Sequence, residues 1–239
     1  MKRLQDVEHH ETEDLYYPTM CKVTGAKQIT EMEKWYELEM PEGQSLGHGP
    51  GQFVEVSAFG IGEAPISISS SPSKNGKFEL CIRQVGTLTN VLKNYETGDM
   101  MGIRGPFGKG FPMEKLFGKD ILVVAGGIGL VPLRSLINYV LDNRKDFGRL
   151  IILYGAKTPS ELLFTDELET WKDRDDVELH VTVDQPDETW KGNTGVITTL
   201  IPSLDLKLNT TIAAITGPPV MYKFVVMSLK SKQLPDDQI

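Results

Sequence analysis

Residues 121–132, Ile-Leu-Val-Val-Ala-Gly-Gly-Ile-Gly-Leu-Val-Pro, constrain this chain more than any other stretch. The apolar run reads as a buried strand ending at Val124 or Ala125. Gly126, Gly127 and Gly129 let the backbone turn tightly and let a bulky ligand approach. Pro132 suits a first helical turn, where its missing N–H costs nothing. Leu133 to Leu141 then carries apolar residues at helical spacing. A glycine turn between a strand and a helix start suits a phosphate, because free N–H groups and the helix dipole converge there. Such turns also occur for packing alone, and this spacing differs from the Gly-x-Gly-x-x-Gly dinucleotide fingerprint. The rest of the chain has to decide what the turn is for.

The segments after it supply a context. From Asp120 onward, strands are predicted over 121–125, 149–155, 177–183 and 211–215. Helices are predicted over 131–143, 160–172, near 195–201 and over 219–232. Strands alternating with helices imply right-handed crossovers and a parallel sheet covered on both faces. Ligands of such sheets bind at the carboxyl ends of the strands. Three turns fall at that edge: Gly126-Gly127-Ile128-Gly129, Asp184-Gln185-Pro186 and Thr216-Gly217-Pro218-Pro219.

The first half follows a different pattern. Strands are predicted over 19–29, 34–40, 52–58, 65–70, 77–84 and 99–104, with one short helix from Leu88 to Tyr95. Phe78, Leu80 and Ile82 alternate with Glu79, Cys81 and Arg83, so this strand has one apolar face. Lys74-Asn75-Gly76-Lys77 reads as a hairpin turn, since Asn-Gly tolerates positive φ. Short strands at this density imply a small antiparallel barrel or sandwich. The expected organisation is a polar tail over 1–16, a β-barrel over 17–114 and an α/β domain over 115–239.

Composition narrows the function classes. The chain has 239 residues, 40% hydrophobic and 24% charged, which suits globular domains with real cores. A net charge of −8 argues against nucleic acid or an anionic membrane as the main partner. No apolar run approaches the ~20 residues that span a bilayer. Met1 to Asp14 is polar and lacks an apolar signal core, so the expected location is cytoplasmic. Cys21 and Cys81 have no metal-ligand spacing, and His9, His10, His48 and His180 are scattered, so no metal site is expected.

A barrel followed by a nucleotide-type parallel domain resembles the ferredoxin–NADP reductase superfamily. Ala64-Pro65-Ile66-Ser67 sits where that superfamily has its Arg-x-Tyr-Ser flavin motif. Cys81-Ile82-Arg83 and the following Val85-Gly86-Thr87-Leu88-Thr89 sit where the flavin diphosphate is held. Gly126-Gly127-Ile128-Gly129-Leu130-Val131-Pro132 resembles the nicotinamide-nucleotide diphosphate loop, and Tyr154-Gly155-Ala156 and Thr216-Gly217-Pro218-Pro219-Val220-Met221 complete the pattern. Glu-Ala-Pro-Ile-Ser-Ile-Ser-Ser and Arg-Gly-Pro-Phe-Gly-x-Gly-Phe-Pro are similar to one branch. It holds sulfhydrogenase gamma subunits, the flavin subunit of anaerobic sulfite reductase and the electron-transfer subunit of dihydroorotate dehydrogenase B. The resemblance implies an FAD-binding β-barrel followed by a Rossmann-like domain for NAD(H) or NADP(H).

Two departures follow from the same comparison. Ala64 replaces the usual arginine and Ile66 the usual aromatic, so the arginine role passes to Arg83 as candidate. The branch normally continues past a Pro-x-x-Gln-Ile segment into four cysteines that hold a two-iron, two-sulfur cluster. This sequence stops at Leu234-Pro235-Asp236-Asp237-Gln238-Ile239, so a cluster is expected only where the natural chain extends past Ile239.

Each site residue also has a plain reading. Ser67, the implied hydrogen-bond donor to the reactive flavin nitrogen, is one serine of a serine-rich strand. Arg83 could be a solvated strand arginine, though an arginine before a Gly-Thr turn suits a diphosphate. Thr89 reads equally as an ordinary helix residue, Cys81 as a structural thiol, and Pro218 as a helix opener. Asp184 and Gln185 stand where NADPH-using relatives carry a Ser-Arg pair for the 2′-phosphate. The implied preference is for NADH, and the plain reading of Asp184 is a turn cap before Pro186. The function implied is an electron-transfer subunit linking NAD(P)H, through FAD, to iron–sulfur subunits of a hydrogenase, sulfite-reductase or related complex. Alternatives are a stand-alone ferredoxin or flavodoxin reductase and an assembly subunit that has lost flavin.

Overall fold

The computed structural model describes residues 16–239 except Asn75. The polar tail through Leu15, with His9 and His10, and the Asn75 position of the hairpin turn therefore lie outside the described residues. Six antiparallel strands come first: β1 (Thr19–Gln28), β2 (Glu33–Glu39), β3 (Phe53–Ala58), β4 (Gly62–Ser67), β5 (Lys77–Arg83) and β6 (Met100–Phe107). Their order in the sheet is β4-β3-β6-β1-β2-β5. A bridge from Ile68 to Leu80 joins the two edges and closes the sheet into a barrel. Alternation fills the barrel: Val54 and Val56, Phe78, Leu80 and Ile82, and Met101 and Ile103 all point inward and are buried. The short helix α1 (Thr87–Leu92) and the four-residue α2 (Met113–Leu116) flank β6 in the chain.

The second half is a parallel sheet of β7 (Asp120–Gly126), β8 (Leu150–Ala156), β9 (Val177–Val183), β10 (Asn193–Thr194) and β11 (Thr211–Thr216), in the order β10-β9-β8-β7-β11. Helices α3 (Leu130–Asp142) and α4 (Thr165–Lys172) follow β7 and β8, and α5 (Pro219–Ser231) follows β11. Two apolar layers sandwich this sheet. Leu133, Leu136, Ile137 and Trp171 belong to one layer, and Ile197, Ile201, Val225 and Leu229 to the other. Strand order reverses between β7 and β11, so the crevice at their carboxyl ends is the expected ligand position.

Several boundaries differ from the sequence reading. The strand expected over 65–70 ends at Ser67, because Ser69 and Ser70 turn to bond β5 and α3 instead: Ser69 N–H donates to the Glu79 carbonyl at 2.8 Å and the Ser135 hydroxyl to the Ser70 carbonyl at 2.6 Å. The helix expected from 160 starts at Thr165. Pro159–Glu161 form a 3-10 turn, and Phe164 adopts a left-handed φ of 53° that buries its ring. The segment near 195–201 is a 3-10 helix, Ile197–Ser203, with Pro202 inside it. Strand β7 runs on to Gly126, and β10 is a two-residue strand with too little pattern to be seen.

Candidate functional site: a cleft between the barrel and the parallel sheet

Two adjoining cavities lie at the carboxyl edge of the parallel sheet. The larger is about 650 Å³ and reaches from the barrel to the β7 turn; Ala64, Pro65, Ile66, Ser67, Cys81, Arg83, Val85 and Thr89 line one side. Gly126, Gly127, Ile128, Gly129, Val131, Pro132, Thr216, Gly217 and Pro218 line the other. The smaller, about 520 Å³, lies over β8 and β9 and is lined by Gly155, Ala156, Lys157, Glu161, Asp184, Val196, Ile197, Thr198, Val220, Met221 and Phe224. Arg83, Gly126, Gly127 and Pro218 line both. They form a wall common to the two cavities.

The glycines of the β7 turn divide the work. Gly127 has a φ of 54° and faces open space, so it leaves room for a ligand. A Cβ on Gly126 would lie 2.5 Å from the Met221 Sδ and 3.1 Å from the Pro218 ring. One on Gly129 would overlap the Thr216 carbonyl. Gly129 lets the turn meet the end of β11 closely, Gly126 lets it meet Pro218 and Met221 at the start of α5, and Gly217 likewise abuts Met221. Pro132 is the third residue of α3, still within the turn whose N–H groups lack helical partners. Pro219 opens α5, and Pro218 caps it while lining both cavities.

On the barrel side, alternation along β5 sends Cys81 and Arg83 toward the cleft and Ile82 into the barrel core. Ile82 and Leu88, both expected at the cofactor, pack inside that core and line neither cavity. Burial pushes the Cys81 thiol up to about 12, so it is an inert neutral wall. Gly86 has open space beside it but does not line the cavities. Its N–H and that of Val85 both donate to the Thr89 hydroxyl, at 2.9 and 3.0 Å, and this hydroxyl donates back to the Gly86 carbonyl at 3.1 Å. Thr89 thus ties down the entry to α1, and its hydroxyl and the Gly86 N–H, both expected near a diphosphate, satisfy each other. The Arg83 Nε donates to the carboxylate of Glu33, which is buried and also accepts from the Thr30 hydroxyl. The remaining guanidinium nitrogens stand at the wall between the cavities. The Ser67 hydroxyl has no hydrogen-bond partner among the described residues and stands in the larger cavity.

Sequence reasoning missed what holds the two halves together. Arg134, on α3 and 5% exposed, donates from Nη1 to Glu79 Oε2 at 2.6 Å and to the Ser69 carbonyl at 3.0 Å. Its Nε and Nη2 grip Glu167 of α4 at 2.5–3.0 Å, and its guanidinium lies 4.5 Å from the centre of the Phe164 ring. Glu79 also accepts from Lys74 and from Trp35 Nε1, the latter at 3.1 Å. Burial alone would push the Glu79 carboxyl up, but Arg134 and Lys74 outweigh it and hold it below the usual carboxylate range. Its ionised form therefore stabilises the fold above about pH 4, and that contribution is lost as pH falls through the lowered value. Thermal unfolding of the parent protein and of Glu79→Gln should accordingly differ most near neutral pH and converge in acid. A difference constant down to about pH 3 would show that the Glu79 charge adds nothing.

These residues fit FAD and a nicotinamide nucleotide: a roomy glycine turn, an arginine at the wall, and a free hydroxyl in an apolar pocket. Residues 20–111 match the oxidoreductase FAD-binding domain and residues 123–227 the oxidoreductase NAD-binding domain. The gamma subunit of sulfhydrogenase 1 from Pyrococcus furiosus is 40% identical over 214 residues, which cover 87% of this chain and 73% of that subunit. For the gamma subunit of sulfhydrogenase 2 from the same organism the identity is 35%, over 92% and 81% of the two chains. This chain belongs to the sulfhydrogenase gamma-subunit family, within the ferredoxin reductase-like oxidoreductases. Like other members, it is an FAD-dependent NAD(P)H oxidoreductase that passes electrons through a flavin. Its fold is that of the cytochrome b5 reductase domain of Ulva prolifera nitrate reductase, with TM-score 0.77 at 23% identity over 92% and 94% of the chains. It is also that of the flavohem-like FAD/NAD-binding domain of nitric oxide dioxygenase from Vibrio cholerae, with TM-score 0.82 at 15% identity over 93% and 97%. No helix among the described residues is long and apolar enough to cross a membrane.

Proposed function

We propose that FAD occupies the larger cavity and the nicotinamide nucleotide the smaller, and that the electrons continue to an iron–sulfur partner subunit of a hydrogenase, sulfite-reductase or related complex. The wall shared by the two cavities carries this reading, because it lets the reacting ends of the two ligands meet. Bound FAD supplies the step from a two-electron hydride to single electrons, so the chain needs no nucleophile of its own. Ser67 offers its unpaired hydroxyl to a ring acceptor. Ala64, Pro65, Ile66, Ile128 and Val131 give the pocket an apolar lining that excludes water. Arg83 and the Gly127 turn face the diphosphates. The names of the relatives, gamma subunits of two sulfhydrogenases and a probable electron-transfer subunit of dihydroorotate dehydrogenase B from Methanothermobacter thermautotrophicus, support work within a complex. Domain limits of 17–114 and 115–239 follow from the same assignment, with the linker after β6.

The far end of the smaller cavity sets the choice of nucleotide. Asp184 follows β9, and its N–H donates to the Ala156 carbonyl at 3.0 Å, which fixes it beside the end of β8. Glu161 and Lys157 line the same cavity, close in sequence to the end of β8, while its other cation, Arg83, stands on the wall shared with the larger cavity. A 2′-phosphate there meets like charge, which costs several kcal/mol, whereas ribose hydroxyls can donate to a carboxylate. Steady-state reduction of a dye acceptor is expected to give a kcat/KM for NADH at least about tenfold above that for NADPH. Asp184→Ser combined with Gln185→Arg should move the ratio toward NADPH. Equal or greater kcat/KM with NADPH in the parent protein would overturn the assignment, and absence of turnover with either nucleotide would refute the cleft as the reaction site.

A further inference from the structure

We infer that Arg134 is a positioning residue for the reaction in the cleft: its guanidinium sets the spacing between the strand that carries Ser67 and the glycine turn of the nucleotide domain. The inference rests on the cleft assignment above. Arg134 lies on the helix that the glycine turn starts, five residues after Gly129 and roughly 7 Å along its axis. Both groups it holds on the barrel belong to the flavin side. The Ser69 carbonyl is two residues beyond Ser67, and Glu79 is on the strand that carries Cys81 and Arg83. Ser135 adds a second bond from the same helix turn, to the Ser70 carbonyl. Ser70 is held in turn by β5, since the Glu79 N–H donates to its hydroxyl at 3.0 Å, and its carbonyl lies 3.2 Å from Nε2 of the buried His48. The serine segment is thus pinned on one side to the barrel and on the other to α3. A planar fork holds Glu167 through Nε and Nη2 while Nη1 serves Glu79 and Ser69, a spread of donors that the compact ammonium of a lysine does not reproduce. Glu167 and Phe164 fix the arginine from behind, so it is an oriented strut between the two ring-binding walls.

The consequence is kinetic. Reacting rings tolerate little misplacement, and a shift near 1 Å can cost on the order of a hundredfold in rate. In Arg134→Lys the charge stays but the fork goes. With FAD bound, stopped-flow reduction by NADH is expected to slow at least about tenfold, with KM for NADH and Kd for FAD each within about twofold of the parent. The long-wavelength absorption that NAD⁺ induces when it stacks on the reduced flavin should weaken in parallel. A second variant separates spacing from stability. Arg134→Met with Glu79→Leu removes the buried pair together, an exchange that is often neutral or stabilising. It should unfold at a temperature near that of the parent and still react slowly. Parent-like rates in Arg134→Lys, recovery of rate with stability in the double variant, or loss of FAD in step with rate would each overturn the inference. A parent protein whose flavin stays oxidised with NADH would refute the cleft assignment itself, and this role with it.

Discussion

Gly129→Ala should destabilise the protein by about 3 kcal/mol and abolish nucleotide binding at the parent's affinity. Gly129 closes the turn after β7 directly against the end of β11. An added Cβ would overlap the Thr216 carbonyl oxygen, and it would lie 2.5 Å from the carbonyl carbon and 2.9 Å from the Gly217 nitrogen. All three obstacles are backbone, so no side chain can swing aside. Relief requires β11 to part from β7 at the topological switch, and Gly217 and Pro218 move with it. Gly127→Ala is the contrast, since a Cβ there meets nothing within 4 Å and only the left-handed φ of 54° is strained. Its cost to stability should be near 1 kcal/mol. Chemical denaturation of both variants, with NADH titration of each, measures the difference. Equal stability losses would show that the close approach to β11 does not govern this turn.

Arg83→Ala is the second large change. Two losses are expected. The free end of the guanidinium faces both cavities, so FAD affinity should fall by about 1.5–3 kcal/mol, the worth of a charged hydrogen bond, or at least tenfold. The Glu33 carboxylate, 2% exposed, keeps only the Thr30 hydroxyl and loses its cation, which lowers stability as well. Arg83→Ala with Glu33→Gln removes the orphaned charge. It should recover much of the stability and none of the flavin affinity. If the double variant regains FAD along with stability, Arg83 serves the barrel and not the cofactor.

Local pattern carried much of this structure. The alternation over 78–83 told which side chains fill the barrel, and the run from Ile121 with its glycine turn located the crevice. Ser67, Arg83, Gly127, Asp184 and Pro218 all reach one cleft because each sits at a strand end or turn that the parallel topology brings to the same edge. The connection between the two halves was not legible. Glu79 and Arg134 are 55 residues apart in sequence, and each reads on its own as a surface charge on an amphipathic element. Only the docking of α3 on β5 removes both from water, so β5 is buried on its two faces and not on one. The same absence of long-range signal explains Ile82 and Leu88. Adjacency to functional residues suggested a role in the cleft, whereas strand and helix phase turned them into the barrel. The late start of α4 depended on Phe164, whose ring is held under Arg134 by a contact no local propensity encodes.

The central claim is that this cleft brings NADH to a bound flavin. A visible absorption spectrum of the purified protein loaded with FAD, taken under nitrogen before and after NADH, tests it most directly. One tightly held FAD per chain is expected, whose yellow absorption bleaches on adding NADH and returns when an electron acceptor is supplied. A protein that stays colourless after exposure to FAD, or a bound flavin that keeps its oxidised spectrum in excess NADH and NADPH, would contradict it.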